Sequence, residues 1–527
     1  MKKNAILLAS SLIAVTALVG CGRQSSSDEP VDSTKAQLTI NTYDGGIGTK
    51  WLENAARRFS ELNAERTDFE PGKVGVQIHI DKARYADIST QDLDKDIYFT
   101  EGLDYYVMGN KDKFADITDV LTQENPNDNN KTILEKIDVN LRNYMNRDGK
   151  YYAVPFYDGI YGLVYNKGLF AQNEYYLTND GERTGDPDEF GTGPNGIAGD
   201  WDDGLPKTYE EFGTMMSWMR DDNITPFIYC SDSQMSKYTY RMLTSYWSDD
   251  EGYDQINLNY TLSGTANNIV TNIATDGTVT TEAVEISTSN GYRLSKQQGL
   301  YNALRFARDY LVGKTDQNYK AGSSVDIAQK LFIGRNGNVN AGMLIEGTWW
   351  ENEARSSIES AKKYGDTNYG LMAIPKSDAS KVGQDATFMN LNRSFGFINK
   401  RSDHMKVAKE FFAFLHTDAE LEAFTQETNM TRALKYTVRD EIKQNLSTYA
   451  QDLVAIKESE HVKIFSPYSS LKFQIDNSGF FSTESYPWKT NSYSDNPITK
   501  FIDSPELSAK DYFDDHAEYI QRNWPSK

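Results

Sequence analysis

Residues 149–167 read GKYYAVPFYDGIYGLVYNK, and this stretch decides how the chain is predicted to fold. Residues 152–155 form an extended segment, because Pro155 cannot lie inside a helix and disfavours helical geometry in the residue before it. Residues 161–165 read as a second strand, which the polar turn Asn166-Lys167-Gly168 ends. The chain is therefore expected to pass from one strand to another near residues 156–159.

Strands and helices alternate on both sides of this stretch. Leu52, Ala55 and Phe59 lie on one face of a predicted helix, and residues 300–311 repeat the same spacing. Predicted strands lie at residues 38–43, 74–80, 96–99, 341–345, 370–374 and 395–398. After Asn399 the chain is mainly helical. This order predicts an α/β fold in which loops at strand ends face a crevice.

Size and composition narrow the class of protein. The chain has 527 residues, which is too long for one hydrophobic core, so it is expected to form two or more lobes. It is 39% hydrophobic and 25% charged with a mean hydropathy of −0.63, which excludes a membrane bundle and a disordered chain. The net charge of −21 argues against bulk nucleic-acid binding, which needs clustered Lys and Arg.

The N-terminus has the pattern of a bacterial lipoprotein signal. Lys2 and Lys3 precede an apolar run that is too short to span a membrane and that ends in LVGC, at Cys21. We expect residues 1–20 to be a removed signal peptide and Cys21 to carry a lipid that anchors the chain outside the cell membrane. Residues 21–35 are rich in Ser and Asp and read as a flexible tether.

The chain contains only two cysteines, Cys21 and Cys230. If Cys21 carries a lipid, Cys230 has no partner and no disulfide forms. Cys230 follows the apolar residues 227–229, so we expect it to be a small buried side chain without chemistry.

A long acidic loop, residues 178–204, precedes the sequence PKTYEEF. Thr208 and Glu211 have the spacing of a helix capping box, which ends the loop. The loop has enough Asp residues to suggest calcium, but no frame matches the twelve-residue calcium loop. A calcium site and a solvated acidic loop both remain open, and no other cofactor or metal is expected.

Ordered motifs give the chain a family resemblance. They are GKYYAVP (149–155), LVYNK (163–167), PKTYEE (206–211), MLIEGTW (343–349) and AKEFF (408–412). Behind a lipoprotein signal, this set resembles the extracellular solute-binding proteins of carbohydrate ABC importers, of the maltose-binding-protein-like family 1 type. The resemblance covers nearly the whole mature chain. The acidic loop and residues 254–290, which are rich in Thr and expected to form a hairpin, depart from it.

The resemblance implies a two-lobed clamp of the type II periplasmic-binding-protein kind, with crossovers near residues 156–159, 338–341 and 399. Lobe one would then comprise residues 36–156 and 341–398. Lobe two would comprise residues 157–340 and 399–527. The resemblance further implies that a monomer captures an oligosaccharide between the lobes and delivers it to the transmembrane subunits of an ABC permease.

Sugar recognition has a physical signature of its own. Pyranose rings lie flat on aromatic side chains, and their hydroxyls bond carboxylates, amides and Tyr hydroxyls. By position in the EGTW motif, Trp349 corresponds to the family's stacking residue, whereas Trp350 is expected to pack in the core. Tyr106 and the loop 480–488 are further candidates. The full set of predicted ligand-binding residues is Tyr43, Asp44, Glu101, Tyr105, Tyr157, Asp158, Tyr161, Tyr229, Asp232, Glu346, Trp349 and Trp488.

Two other functions stay open at this point. A secreted glycoside hydrolase needs two carboxylates beside the scissile bond, and a chain with 76 acidic residues does not exclude such a pair. A lipid-anchored adhesin that binds glycans without transport shares the anchor and the aromatic residues. No nucleophile elbow or phosphate-binding loop supports another enzyme class, because Arg308 stands where a phosphate loop before Lys314 needs Gly.

The anchoring hypothesis gives a first prediction. Replacing Cys21 with Ser removes the thiol that would carry the lipid, so the protein should move from the membrane fraction to the medium. Ligand binding by the lobes should not change. Cell fractionation followed by immunoblotting measures the shift, and retention of Cys21→Ser in the membrane fraction would count against the lipoprotein interpretation.

Overall fold

The structure is a computed structural model that describes residues 30–83, 93–233, 235–334, 340–361, 368–481 and 486–526. The predicted signal peptide, Cys21 and most of the predicted tether therefore lie outside the described residues. Within the described part of the chain, no helix combines the length and the apolar composition needed to cross a bilayer.

Five strands form the first sheet: β1 (Ala36–Tyr43), β2 (Val76–Ala83), β3 (Ile97–Thr100), β4 (Val154–Pro155) and β15 (Phe395–Ile398). Their order is β2-β1-β3-β15-β4. Alternate residues of β1 are buried, which explains the apolar–polar pattern of that segment. β2 and β3 run parallel to β1, whereas β15 runs antiparallel to β3 and β4.

The second sheet has the same arrangement. Its strands are β5 (Tyr161–Asn166), β8 (Thr225–Cys230), β11 (Tyr319–Gly322), β12 (Ala341–Gly347) and β13 (Tyr369–Leu371). Their order is β11-β8-β12-β5-β13, with β11 and β12 parallel to β8 and with β5 antiparallel to its neighbours. Every residue of β12 is buried, as expected for a strand covered on both faces.

Three smaller pairs complete the strands: β6 (Tyr176–Leu177) with β7 (Arg183–Thr184), β9 (Gly264–Ile273) with β10 (Val279–Ile286), and β14 (Ala386–Met389) with β16 (Val462–Phe465). The β9–β10 pair is antiparallel, so the hairpin predicted within residues 254–290 is confirmed.

Helices cover both sheets. Those of the first lobe are α1 (Lys50–Leu62), α2 (Tyr105–Asn110), α3 (Thr118–Thr122), α4 (Ile133–Lys136), α5 (Val139–Met145), α14 (Met405–Phe414) and α15 (Asp418–Thr428). Those of the second lobe are α6 (Lys167–Gln172), α7 (Tyr209–Asp221), α8 (Lys237–Glu251), α9 (Tyr253–Thr261), α10 (Gln298–Arg305), α11 (Val325–Phe332), α12 (Trp350–Glu353), α13 (Arg355–Ala361), α16 (Asp440–Lys443), α17 (Thr448–Glu458), α18 (Lys472–Asp476), α19 (Ser478–Phe481), α20 (Pro497–Asp503) and α21 (Ala509–Asn523). The chain is thus a two-lobed α/β protein.

The predicted capping box does begin α7. Thr208 Oγ1 accepts a hydrogen bond from the backbone N–H of Glu211 at 3.3 Å. Glu211 in turn accepts from the backbone N–H of Lys207 at 2.6 Å. The acidic loop therefore ends where the sequence pattern predicts it.

One crossover joins the two sheets directly, a second leads from the β14–β16 pair into the first sheet, and a third segment lies against them. Residues 156–160 lead from β4 to β5, as predicted, and residues 390–394 lead from β14 to β15. Ile160 forms an antiparallel bridge with Asn390, and Tyr157 forms one with Arg432. The segment around Arg432 follows α15 and carries the chain towards α17. The three segments therefore lie side by side between the lobes.

The strand pairing corrects the predicted lobe boundaries. β12 and β13 pair within the second sheet, so residues 341–371 belong to lobe two and residues 338–341 are not a crossover. β15 already lies in the first sheet, α14 packs on β1 and β15, and α15 packs on α1, so the chain stays in lobe one after Asn399 and no crossover lies there. A sequence pattern identifies a strand or a helix, but its partner depends on tertiary packing.

Lysines neutralise several buried aspartates. The ion pairs are Asp128–Lys136, Asp158–Lys457, Asp249–Lys376 and Asp452–Lys167. Burial of an unpaired carboxylate is costly, so each lysine offsets part of the desolvation of its partner.

The pair between Asp249 on α8 and Lys376 gives a second prediction. Both side chains are 2% exposed and lie 3.0 Å apart. Lys376→Met leaves Asp249 buried without its cation, so it should lower the free energy of unfolding by about 3–5 kcal/mol. Urea denaturation measures the loss.

Lys400→Met is the matched control, because Lys400 and Asp112 form an exposed pair. Lys400→Met should lower the free energy of unfolding by less than about 1 kcal/mol. Equal losses in the two variants would contradict a special role for burial.

Candidate functional site

A cleft of about 780 Å³, open to solvent, lies where the lobes face each other. Lobe one lines it with Leu103, Asp104, Tyr106, Val107 and Tyr144, and a crossover lines it with Arg393. Lobe two contributes α8, α9 and residues after β16. The aromatic residues that line the cleft are Tyr106, Tyr144, Trp247, Tyr260, Tyr468, Phe481 and Tyr486. Rings from both lobes therefore surround one opening.

Local structure fixes the lobe-one wall. Asp104 caps α2 by accepting a hydrogen bond from the backbone N–H of Val107 at 3.0 Å, which places Tyr106 in the first turn. The Tyr106 hydroxyl donates to the carbonyl of Tyr144 at 2.8 Å. The ring of Tyr144 then lies 5.0 Å from that of Tyr468 of lobe two, so the lobes touch through aromatic side chains.

Burial sets the charge state of the cleft tyrosines. Desolvation raises the pKa of Tyr106, Tyr144, Tyr260 and Tyr486 above the ordinary value for a phenol. These hydroxyls are therefore neutral at physiological pH and keep a proton to donate. The cleft offers flat apolar faces together with hydroxyl donors and acceptors.

Arg393 is a cleft residue that the sequence analysis missed. Its φ is +45°, a left-handed conformation that is uncommon for a residue other than glycine. The backbone N–H of Leu103 donates to the carbonyl of Arg393 at 3.1 Å, and that of Gly102 donates to Asn392 at 3.1 Å. These bonds tie the crossover to the loop after β3. A single Arg within residues 390–394 has no spacing or motif that could have identified it.

The positive charge of Arg393 acts on both walls of the cleft. It lowers the pKa of Tyr144 in lobe one and of Tyr260 in lobe two, although burial outweighs this effect in both. Arg393 therefore adds a positive charge to a cleft that is otherwise lined mainly by aromatic and neutral polar side chains.

Three predicted site residues meet in a buried polar chain beside the cleft. The Tyr157 hydroxyl donates to Glu101, and Asn392 Nδ2 donates to the Tyr157 oxygen at 2.6 Å. The Tyr161 hydroxyl donates to Asn392 Oδ1 at 2.7 Å, and Arg241 donates to the Tyr161 oxygen. This chain links the loop after β3, two crossovers and α8. Asn392 and Arg241 were not predicted.

Trp349 lies in the protein interior at the end of β12. Its side chain is 4% exposed, and the rings of Tyr161 and Tyr238 meet it edge-on at 4.8 and 5.7 Å. Trp350 is fully buried and packs against Tyr369, as predicted. The stacking role of Trp349 stays a prediction, but in this structure its ring faces contact protein.

Other predicted residues lie at strand ends without lining the cleft. Tyr43 is half-buried at the end of β1, and Asp44 pairs with Lys82. Glu346 is the penultimate residue of β12 and is buried, and desolvation raises its pKa well above the usual range. Tyr229 is buried in β8, and Asp232 accepts a hydrogen bond from the backbone N–H of Met235.

Three further predicted residues already have partners within the protein. The Tyr105 hydroxyl is buried and donates to the Met145 carbonyl at 2.7 Å. The Trp488 indole is buried and donates to Thr244 Oγ1 at 3.2 Å. Asp158 pairs with Lys457 on the other side of the crossover.

None of the twelve predicted ligand-binding residues lines the aromatic cleft. Their role as ligand contacts stays a prediction. Tyr106 and the predicted loop 480–488 do line the cleft, through Tyr106, Phe481 and Tyr486.

A larger groove of about 2440 Å³ lies elsewhere between the lobes. Charged residues dominate its wall, including the paired Asp158 and Lys457, and Tyr253 is the one aromatic residue among those that line it. The smaller aromatic cleft is therefore the better candidate for a ligand with flat apolar faces.

Comparison with known proteins establishes the family. The model of the bacterial extracellular solute-binding proteins matches residues 66–421, and the chain belongs to this family of binding proteins. Among curated proteins, none matches significantly.

Solved structures share the fold at low sequence identity. The apo form of RafE from Streptococcus pneumoniae has a TM-score of 0.55 at 12% identity, over 94% of this chain and 99% of RafE. RafE in complex with raffinose has a TM-score of 0.52 at 14% identity, over 92% and 99% of the two chains. The Thermus thermophilus maltotriose binding protein, bound with maltotriose, has a TM-score of 0.50 at 16% identity, with the same coverage.

The burial of Trp349 gives a third prediction. Trp349→Ala removes a large ring from a packed site, so it should lower the free energy of unfolding by about 3–5 kcal/mol. Denaturant unfolding measures this loss. Trp218→Ala is a control, because Trp218 on α7 is only half-buried. It should lower the free energy of unfolding clearly less than Trp349→Ala does. An unchanged stability in Trp349→Ala would show that the ring is not packed as the structure has it.

Proposed function

We propose that this protein captures an oligosaccharide in the aromatic cleft between its lobes and delivers it to an ABC permease from the outer face of the cell membrane. The observation that carries the proposal is the cleft itself, in which rings from both lobes surround Arg393. A pyranose can lie against these rings while its hydroxyls meet neutral Tyr hydroxyls and the guanidinium.

The composition of the cleft supports an organic ligand with flat apolar faces and polar edges. Aromatic rings and polar side chains line the same opening. Asn259, Ser469 and Gln474 add polar groups on the lobe-two side. Such groups hold the hydroxyls around a sugar ring, whereas the aromatic rings hold its faces.

The similar solved structures support the same class of ligand. RafE was solved with raffinose, and the Thermus thermophilus protein with maltotriose. Their low identity to this chain means that they support the fold directly and the sugar only by analogy.

Closure of the lobes follows from the position of the cleft. A ligand that touches both lobes binds the closed form better than the open form, so it shifts the population towards closure. The crossovers supply the hinge. Family membership supports a permease as the partner of the closed form, and the Cys21 pattern supports a lipid anchor that keeps the protein near that permease.

The proposal predicts the behaviour of a Tyr468 variant. Stacking contributes about 0.5–1.5 kcal/mol beyond area burial, so Tyr468→Ala should weaken oligosaccharide binding about tenfold or more. Isothermal titration calorimetry with raffinose and maltotriose as first probes measures the affinity. Scattering should show that the bound sugar shrinks the radius of gyration of the unmodified chain.

Tyr310→Ala is the matched control, because the Tyr310 hydroxyl donates to Glu210 and Tyr310 does not line the cleft. The sugar affinity of this variant should equal that of the unmodified chain. Chromatography after long incubation should return the sugar intact. Turnover would favour a glycoside hydrolase, and tight binding without compaction would favour a rigid adhesin. If Tyr468→Ala binds the sugar with unchanged affinity, the aromatic cleft is not the binding site.

A further inference from the structure

Asp202, in the acidic loop, is buried without the compensation that the other buried aspartates have. Asp128, Asp158, Asp249 and Asp452 each pair with a lysine. Buried Asp96 has no lysine but accepts hydrogen bonds from the N–H and hydroxyl of Thr39 and from the hydroxyl of Ser402. Each of these five buried aspartates therefore has either a cation or several hydrogen bonds.

The side chain of Asp202 is different. It is 1% exposed, and one oxygen accepts a hydrogen bond from the backbone N–H of Asn195 at 3.0 Å. The other oxygen, Oδ1, is buried and has no hydrogen-bond partner among the described residues. No lysine or arginine forms an ion pair with Asp202 among the described residues, and its neighbours Asp200 and Asp203 are also acidic.

The neighbouring side chains add acceptors to the same loop. Asp203 Oδ1 is also buried without a hydrogen-bond partner among the described residues. Asn195 holds Asp200 through a hydrogen bond of 2.8 Å from its amide. Two unpaired carboxylate oxygens and a third carboxylate thus lie within four consecutive residues, 200–203.

Gly193 lets the backbone approach this cluster. Its φ is +60°, and a Cβ there would lie 2.3 Å from the carbonyl oxygen of Asp202 and 2.7 Å from its carboxyl carbon. No larger residue fits this position. The loop is therefore built tightly around a carboxylate that has no ion pair among the described residues.

We propose that the loop formed by residues 193–203 binds one calcium ion, with Asp202 and Asp203 as carboxylate ligands. Calcium is a hard cation that takes six to eight oxygen ligands in adaptable geometry. Magnesium demands a near-ideal octahedron and keeps its waters, which fits a buried carboxylate less well.

The coordination needs more than acidic side chains. Within the described residues, no group of three or more His, Cys, Asp or Glu side chains is placed to hold a metal ion. Backbone carbonyls of the loop, the Asn195 amide and water therefore complete the shell, as calcium permits.

The loop lies away from the aromatic cleft. Its Pro194 carbonyl accepts a hydrogen bond from Gly383, and the ring of Trp201 lies 6.4 Å from that of Phe388 on β14. The ion would hold the acidic loop against lobe two. It should therefore change stability and leave ligand affinity unaltered, so its test does not depend on the proposed function.

The test uses the tag-free chain, stripped with EDTA and dialysed, with CaCl₂ or MgCl₂ as the probe. At a concentration far above its Kd, calcium should raise the melting temperature by at least about 2 °C. Magnesium at the same concentration should not. Isothermal titration calorimetry should give about one calcium ion per chain. Asp202→Asn and, separately, Asp203→Asn should each weaken calcium binding at least about tenfold.

Asp188→Asn is the matched control, because Asp188 is an exposed carboxylate of the same acidic loop. It should bind calcium as the unmodified chain does. Calcium binding that persists unchanged in both Asp202→Asn and Asp203→Asn would overturn the assignment. A wild-type chain whose melting temperature and calorimetric titration do not respond to calcium would also overturn it.

Discussion

Hydrogen bonds among the crossover segments constrain the rest of the molecule. The N–H of Phe156 donates to Ser394 at 3.0 Å, that of Leu391 to Gly159 at 3.1 Å, and that of Asp158 to Thr431 at 3.1 Å. Because the segments are bonded to one another, the few residues at their ends must absorb a change of angle between the lobes. The sheets themselves can stay intact during such a change.

The buried Arg432 reinforces this arrangement. Its guanidinium donates to the carbonyl of Phe156 at 2.5 Å and contacts His416, and it lies over the rings of Trp51, Phe156 and Phe424. Burial lowers its pKa to about 10, which still leaves it charged at physiological pH. A cation held by rings and a carbonyl fixes the lobe-one end of the hinge.

The cleft depends on the same segments. Arg393 has a strained backbone because its carbonyl and that of Asn392 are bonded to the loop after β3. Asn392 joins the polar chain that reaches Glu101 and Arg241. The crossover thus places a cation between rings of the two lobes, and a ligand there would contact both lobes and the hinge together.

The sequence by itself determined the α/β class, the strands on either side of residues 156–160, the capped start of α7 and the β9–β10 hairpin. Hydrophobic periodicity and turn residues are local features of the chain, so a single sequence is enough to identify them. The resemblance added the two lobes, but it could not assign β12 to its sheet.

Only the tertiary structure decided which residues face the cleft. Tyr105 and Tyr106 are neighbours in a chain with 33 tyrosines, yet one is buried against Met145 and the other lines the cleft. The direction of a side chain on a short helix depends on what packs against that helix, and for Tyr106, Tyr468 and Arg393 those contacts come from residues far away in the sequence.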